Sequence, residues 1–154
     1  MTAIEGHCRC GYISYRSIDL GRVGYYACHC GQCQKLLGTS YALNLPVRKN
    51  MLEVTGKLES RDYQSSEERG NRFYFCPKCH SHVFYANSWR KGVLGVRAGT
   101  ITNLNECEML GHIWTSSKHD WVRIEADEST FSKSPTEDEW RALFEERNRL
   151  YDDS

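Results

Sequence analysis

Seven of the eight cysteines in this 154-residue chain fall into three tight groups. They are Cys8-Arg9-Cys10, Cys28-His29-Cys30-Gly31-Gln32-Cys33 and Cys76-Pro77-Lys78-Cys79. A short turn between two thiols sets both sulfurs on one side of a single ion, so this spacing points to thiolate-bound, tetrahedral zinc. Gly11, directly after Cys10, can take the left-handed backbone that curls a chain around a metal. Pro77 presets a tight turn. Structural zinc is closed by four ligands, whereas catalytic zinc keeps three and an open position. Seven sulfurs divide into one site of each kind, two metals per chain. Spacing alone leaves open what completes the Cys76/Cys79 knuckle: either Cys8 with Cys10, or two of Cys28, Cys30 and Cys33. Disulfides are the weaker reading, since a CxC ring is strained and close-spaced cysteines in a reducing compartment bind metal.

The first ten residues are polar and hold no apolar run of a secretory leader, so the cytoplasm, or else the nucleus, is the expected address. Twenty basic and twenty acidic side chains cancel, which gives nucleic acid or anionic lipid no bulk attraction. No apolar stretch approaches a membrane span. Nine tyrosines and four tryptophans suit twisted sheets and aromatic-walled pockets.

Short runs rich in β-branched and aromatic residues predict strands over 12–16, 23–28, 41–47, 52–55, 58–63, 72–75, 82–86, 93–98, 112–115 and 121–124. With no long helix among them, the fold class is all-β. The polar stretch 64–71 predicts an exposed loop. The tail differs. Ser134-Pro135-Thr136-Glu137 offers a capping box with Ser134 as N-cap. Beyond it, Trp140, Leu143, Phe144, Leu150 and Tyr151 form an apolar stripe at helical spacing. The expected organisation is a zinc-binding domain over 1–126, then a linker and an amphipathic C-terminal helix packed on that domain over 127–154.

Five segments resemble the glutathione-dependent formaldehyde-activating enzyme family, whose domain is shared with centromere protein V. They are Gly6-His7-Cys8-Arg9-Cys10-Gly11, Cys28 to Lys35 with Gly38, Phe75-Cys76-Pro77-Lys78-Cys79, Gly95-Val96-Arg97-Ala98-Gly99-Thr100, and Gly111 to Lys118 with Trp121. The resemblance covers about the first 125 residues and leaves out the C-terminal helix. It implies an Mss4-like arrangement of coiled β-sheets. It also implies that Cys8, Cys10, Cys76 and Cys79 hold a structural zinc, and that Cys28, Cys30 and Cys33 hold a catalytic one. One position departs: relatives commonly carry glycine after the last knuckle cysteine, where this chain has His80. Histidine tolerates positive φ there at modest cost.

Three thiolates make zinc a weak acidifier of water and a better host for a fourth thiol, which coordination keeps as the reactive thiolate. Beside an aldehyde, that thiolate adds to the carbonyl carbon, and the reverse step cleaves a carbon–sulfur bond. The resemblance implies glutathione and formaldehyde as partners and S-hydroxymethylglutathione as the adduct, hence a carbon–sulfur lyase. The alternative is a non-catalytic zinc module that binds another protein. Lys35 and His112 are candidate donors to the alkoxide, although surface and structural roles respectively are the plainer readings. His29 alternates against Cys28 and Cys30 and should point away from the metal. His7 and His82 read as supporting or surface groups. Cys107 reads as a free thiol, yet as a fourth sulfur it would close the catalytic site. Arg61, Arg69, Arg72 and Arg97 could each meet a carboxylate, and spacing selects none.

Overall fold

The computed structural model describes residues 2–152 apart from Ser65 and Glu68. Its strands are β1 (Glu5–His7), β2 (Ser14–Ser17), β3 (Gly24–Cys28), β4 (Ala42–Arg48), β5 (Leu52–Thr55), β6 (Glu59–Gln64), β7 (Gly70–Phe75), β8 (His82–Asn87), β9 (Val93–Arg97), β10 (Glu108–Ile113) and β11 (Ser129–Thr130). Among the described residues two seven-residue α-helices accompany them, α1 (Gly31–Leu37) and α2 (Glu137–Leu143). The strands form a three-stranded sheet, β1-β2-β5, and an eight-stranded sheet, β11-β10-β3-β4-β9-β8-β7-β6. The larger sheet is mixed: β3 pairs β4 antiparallel and β10 parallel. Among the described residues, no helix is long and apolar enough to cross a membrane.

Side chains alternate across a strand, so each strand of the large sheet has two faces to dispose of. One face carries Leu45 and Val47 of β4, Leu94 and Val96 of β9, and Phe84 of β8. These pack with Ile4, Ile13 and Tyr15 from the small-sheet side into the main core. The opposite face carries Asn44, Arg97, Gly95, Tyr85, Asn87, Phe73 and Asn71, which pair across β4, β9, β8 and β7 in one register. Gly95 is required there. A Cβ would lie 2.0 Å from the Tyr85 ring, which crosses directly over it.

A second apolar cluster joins Tyr26, Cys28 and Ile113 to Trp140, Phe144 and Leu150 of the C-terminal segment. Trp140 meets the Tyr26 ring edge-on at 4.9 Å. Within the tail only Glu137–Leu143 is helical, and its cap lies two residues beyond the predicted one. Thr136, not Ser134, is the N-cap, with Glu139 closing the box. Both pairs satisfy the S/T-x-x-E pattern, and Pro135 is buried instead of opening the helix. The helix stops at Leu143, and Leu150 reaches the cluster through turns in which Glu146, Asn148 and Arg149 have positive φ.

Five further differences are local. The segment 121–124 is not a strand, and the strand predicted at 112–115 runs instead over β10. The loop predicted at 64–71 loses its ends to β6 and β7, and Ser65 and Glu68 within it lie outside the described residues. The strands β1 and β11 have three and two residues, too short to show a period. Helix α1 went unforeseen because its cap is a cysteine: Cys30 Sγ accepts from Cys33 N at 3.3 Å.

Asn148 fastens the tail to the large sheet. Fully buried, its Oδ1 accepts from Gly24 N at 2.7 Å, and its Nδ2 donates to Gly24 O at 2.9 Å and Pro46 O at 2.8 Å. Asparagine also tolerates the left-handed backbone found there. Asn148→Ala is expected to leave these backbone groups unpaired and to cost about 3 kcal/mol in urea unfolding. A loss inside experimental error would show that the tail is held by its apolar side chains alone.

Candidate metal centres and the adjoining cleft

The sheets bring the cysteines into two groups. Cys8, Cys10, Cys76 and Cys79 form one, and Cys28, Cys30 and Cys33 the other, with the Sγ atoms inside each within 4.8 Å of one another. All eight cysteines are free thiols. In the first group the two knuckles are built alike. Gly11 follows Cys10 with φ 80° and His80 follows Cys79 with φ 60°, so each turn swings back after its second cysteine. His80 thus adopts the conformation in which glycine is the easier residue.

The donor set fits a metal. In the first group Cys8 and Cys10 sulfurs lie 3.6 Å apart and those of Cys10 and Cys76 3.8 Å apart. The edge of a tetrahedron with zinc–sulfur bonds of about 2.3 Å is about 3.8 Å. Backbone N–H groups also point at sulfur, from Ile13 to Cys8 at 3.3 Å and from Lys78 to Cys76 at 3.4 Å. In the trio, hydrogen bonds from Cys28 and then Cys33 push Cys30 down to about 2. Hydrogen bonds to Cys30 and Cys33, with burial, push Cys28 far up. Three sulfurs this close cannot all carry charge without a cation between them. Either group could therefore hold a metal ion, and among the described residues no fourth Cys, His, Asp or Glu atom joins the trio.

Cys28 ends β3, Cys30 caps α1 and Cys33 lies in its first turn. Cys28 is backed by the Tyr26–Trp140–Phe144 cluster. His29 points away from the sulfurs, as alternation requires, into a fully buried site. Its Nε2 lies 2.8 Å from His112 Nδ1, and His112 Nε2 lies 3.1 Å from Glu128 Oε2. Burial first, then the neighbouring His112, lower His29 to about 4, so it is neutral at ordinary pH. His112 is accordingly a hydrogen-bonded structural histidine behind the trio and does not line the cleft described next.

Cys30 and Cys33 open onto a cleft of about 690 Å³ on the non-core face of the large sheet. Its floor includes Asn44, Tyr85 and Arg97, and its walls Tyr63, Phe73, Trp89 and Trp114. Of the four arginines that spacing could not separate, only Arg97 reaches it. Arg72 is paired with Asp62 on the exposed face of β7, Arg61 lies over Phe75, and Arg69 lies over Trp89. Arg97 is 6% exposed, donates from Nη1 to Asn44 Oδ1 at 2.8 Å and lies over the Tyr85 ring at 4.6 Å. Among the described residues it has no carboxylate partner. Lys35 is exposed at the rim.

The remaining candidates lie elsewhere. Cys107 packs against the main core and belongs to neither sulfur group. His7 Nδ1 meets Cys8 O at 2.8 Å, and His82 packs on Phe73 and Phe75. Sequence reasoning missed Asn44, Tyr85 and Trp89. The i, i+2 pairs 71/73, 85/87 and 95/97 were the available signal, but they are polar, aromatic or glycine where a core face would be aliphatic.

A sequence model described as "Glutathione-dependent formaldehyde-activating enzyme" matches residues 3–117. A Halomonas elongata protein, provisionally named a glutathione-dependent formaldehyde-activating enzyme, is 29% identical over 149 residues, covering 90% of this chain and 94% of its own. A crystal structure of a Rhodobacter sphaeroides protein superposes with a TM-score of 0.50 at 18% identity, covering 64% of this chain and 88% of that one, a likeness of fold. Sheets with cysteine knuckles, the Mss4-like architecture implied at the outset, are what the chain has. With the match spanning every cysteine motif, the chain belongs to the glutathione-dependent formaldehyde-activating enzyme family.

Proposed function

We propose that this chain is a zinc-dependent carbon–sulfur lyase acting on the adduct of glutathione and formaldehyde. In this reading Cys28, Cys30 and Cys33 hold a catalytic zinc and Cys8, Cys10, Cys76 and Cys79 a structural one. The observation that carries it is a sulfur trio that opens, through Cys30 and Cys33, into the same cleft as a buried arginine with no anionic partner among the described residues. Zinc on the trio would accept an incoming thiol as a further ligand and keep it deprotonated at neutral pH.

The protein's own groups do the rest. Lys35 at the rim offers a cation to a tripeptide carboxylate. The thiol end reaches inward to Cys30 and Cys33, which brings the aldehyde carbon toward the floor. As the sulfur bonds to that carbon, the C=O π pair moves onto oxygen. Arg97 is the group placed to receive this charge, since an unpaired buried guanidinium gains most from an anion that forms beside it. Asn44 turns Oδ1 to Arg97, which leaves its amide N–H donors for the same oxygen. The proton lost by the thiol ends on that oxygen. Run backwards, the same steps break the carbon–sulfur bond.

The two metal groups are expected to fail differently. Cys33→Ala should lower bound zinc from two ions to one per chain, leave the fold intact and abolish acceleration of glutathione–formaldehyde exchange in NMR exchange spectra. Cys79→Ser should also lose one zinc, but with a marked fall in thermal stability, because a structural metal contributes directly to folding. Equal stability for both variants would contradict the division of roles.

Arg97→Gln tests the oxygen contact. Loss of one such donor should lower kcat for exchange about 100-fold with little change in the glutathione KM. A raised KM with kcat retained would instead make Arg97 a carboxylate anchor.

A further inference from the structure

The cleft beside the trio is larger and far more aromatic than a one-carbon aldehyde requires. Tyr63, Phe73, Tyr85, Trp89 and Trp114 line its 690 Å³. Formaldehyde carries no side group for such walls to touch. Glutathione is a polar tripeptide with two carboxylates, whereas Lys35 and Arg97 are the cations among the described lining residues. The aromatic wall is therefore unexplained by either partner.

Two observations bear on how Trp114 and Trp89 are held. Trp114 has φ 56° and ψ 40°, a left-handed conformation that a bulky residue rarely takes and that persists only where the surroundings enforce it. The enforcing bonds run from Trp114 N to Lys133 O at 3.2 Å and from Thr115 N to Phe131 O at 3.1 Å. Trp89 is 47% exposed and Tyr63 45% exposed, yet the Arg69 guanidinium lies over the Trp89 ring at 5.1 Å. Large rings lining an open space suit a flat apolar group.

We infer that the cleft takes thiol adducts whose carbon bears an aromatic or comparably bulky apolar substituent, so that the substrate class is the hemithioacetals of aryl-bearing aldehydes. This rests on the proposed function and extends it to the aldehyde half. The reaction is unchanged in balance: the thiolate sulfur bonds to the carbonyl carbon, the π pair moves to oxygen, and the thiol proton ends there. No oxidant or reductant is involved. The oxygen meets Arg97 and Asn44 at the floor, and the substituent lies against Trp89 and Trp114.

Two stable thioethers test the wall without turnover. Calorimetric titration of the zinc-loaded protein with S-benzylglutathione and S-methylglutathione should give an affinity about tenfold higher for the benzyl compound, as ring contacts of this kind supply. Trp89→Ala, at the exposed rim where folding is least at risk, should bring the two affinities together. In NMR exchange, the ratio of phenylacetaldehyde to formaldehyde turnover should fall in the same variant. Equal affinities in the wild-type protein, or a benzyl preference that survives Trp89→Ala, would overturn the inference. Accelerated formaldehyde exchange alongside equal affinities would leave the lyase reading standing. If no aldehyde is exchanged faster than without protein, the lyase reading and this inference both fall.

Discussion

The alternation of side chains across β4, β9, β8 and β7 is the constraint on which everything else rests. One face must be aliphatic to build the core with the small sheet, and that frees the other to be polar and aromatic. Because the period is two residues, slipping one strand by a single position would exchange Arg97 for Val96 and bury a charge in the core. Register is therefore fixed by the core, and the cleft inherits its geometry from that. Gly95 is the clearest mark of this inheritance, a position left without a side chain so that Tyr85 can lie flat over the strand and under Arg97.

Much of the fold was legible because its signals are local. The knuckles could be read from spacing, since two thiols separated by one or two residues face a common point whatever the rest of the chain does. Eight of the strands sit at or near their predicted places because β-branched and aromatic runs are broken by turn residues. What failed depended on distant partners. Helix α1 buries no residue and is capped by sulfur, so neither periodicity nor the usual cap residues announced it. The frame of the α2 cap turned on which of two equivalent patterns would let Trp140 reach Tyr26, and only the folded sheet decides that. The site was half legible for the same reason: its cysteines are neighbours in sequence, whereas Asn44, Tyr85 and Arg97 meet only across strands.

Besides the three left-handed residues of the tail turns, two unfavourable local choices lie beside the sulfur groups. His80 and Trp114 both hold positive φ, one in a knuckle and one in the cleft wall. Each such residue costs roughly 1–2 kcal/mol, which the surrounding packing must offset. Behind the trio, the chain from buried His29 and His112 to the partly exposed Glu128 replaces apolar packing with directed hydrogen bonds. Such bonds fix orientation more tightly than apolar contacts do, and they hold the Cys28–Cys30 segment against β10 through His29 N to Ile113 O at 3.0 Å. The trio is thus braced on one side and open on the other.

That openness is the central claim, and zinc X-ray absorption on the Cys79→Ser protein, in which the trio would hold the remaining metal, addresses it most directly. Without added thiol, the account predicts three sulfur neighbours and a lighter one. With glutathione it predicts four sulfurs, the fourth supplied by the tripeptide. Four protein ligands before glutathione is added, unchanged after it, would contradict the account.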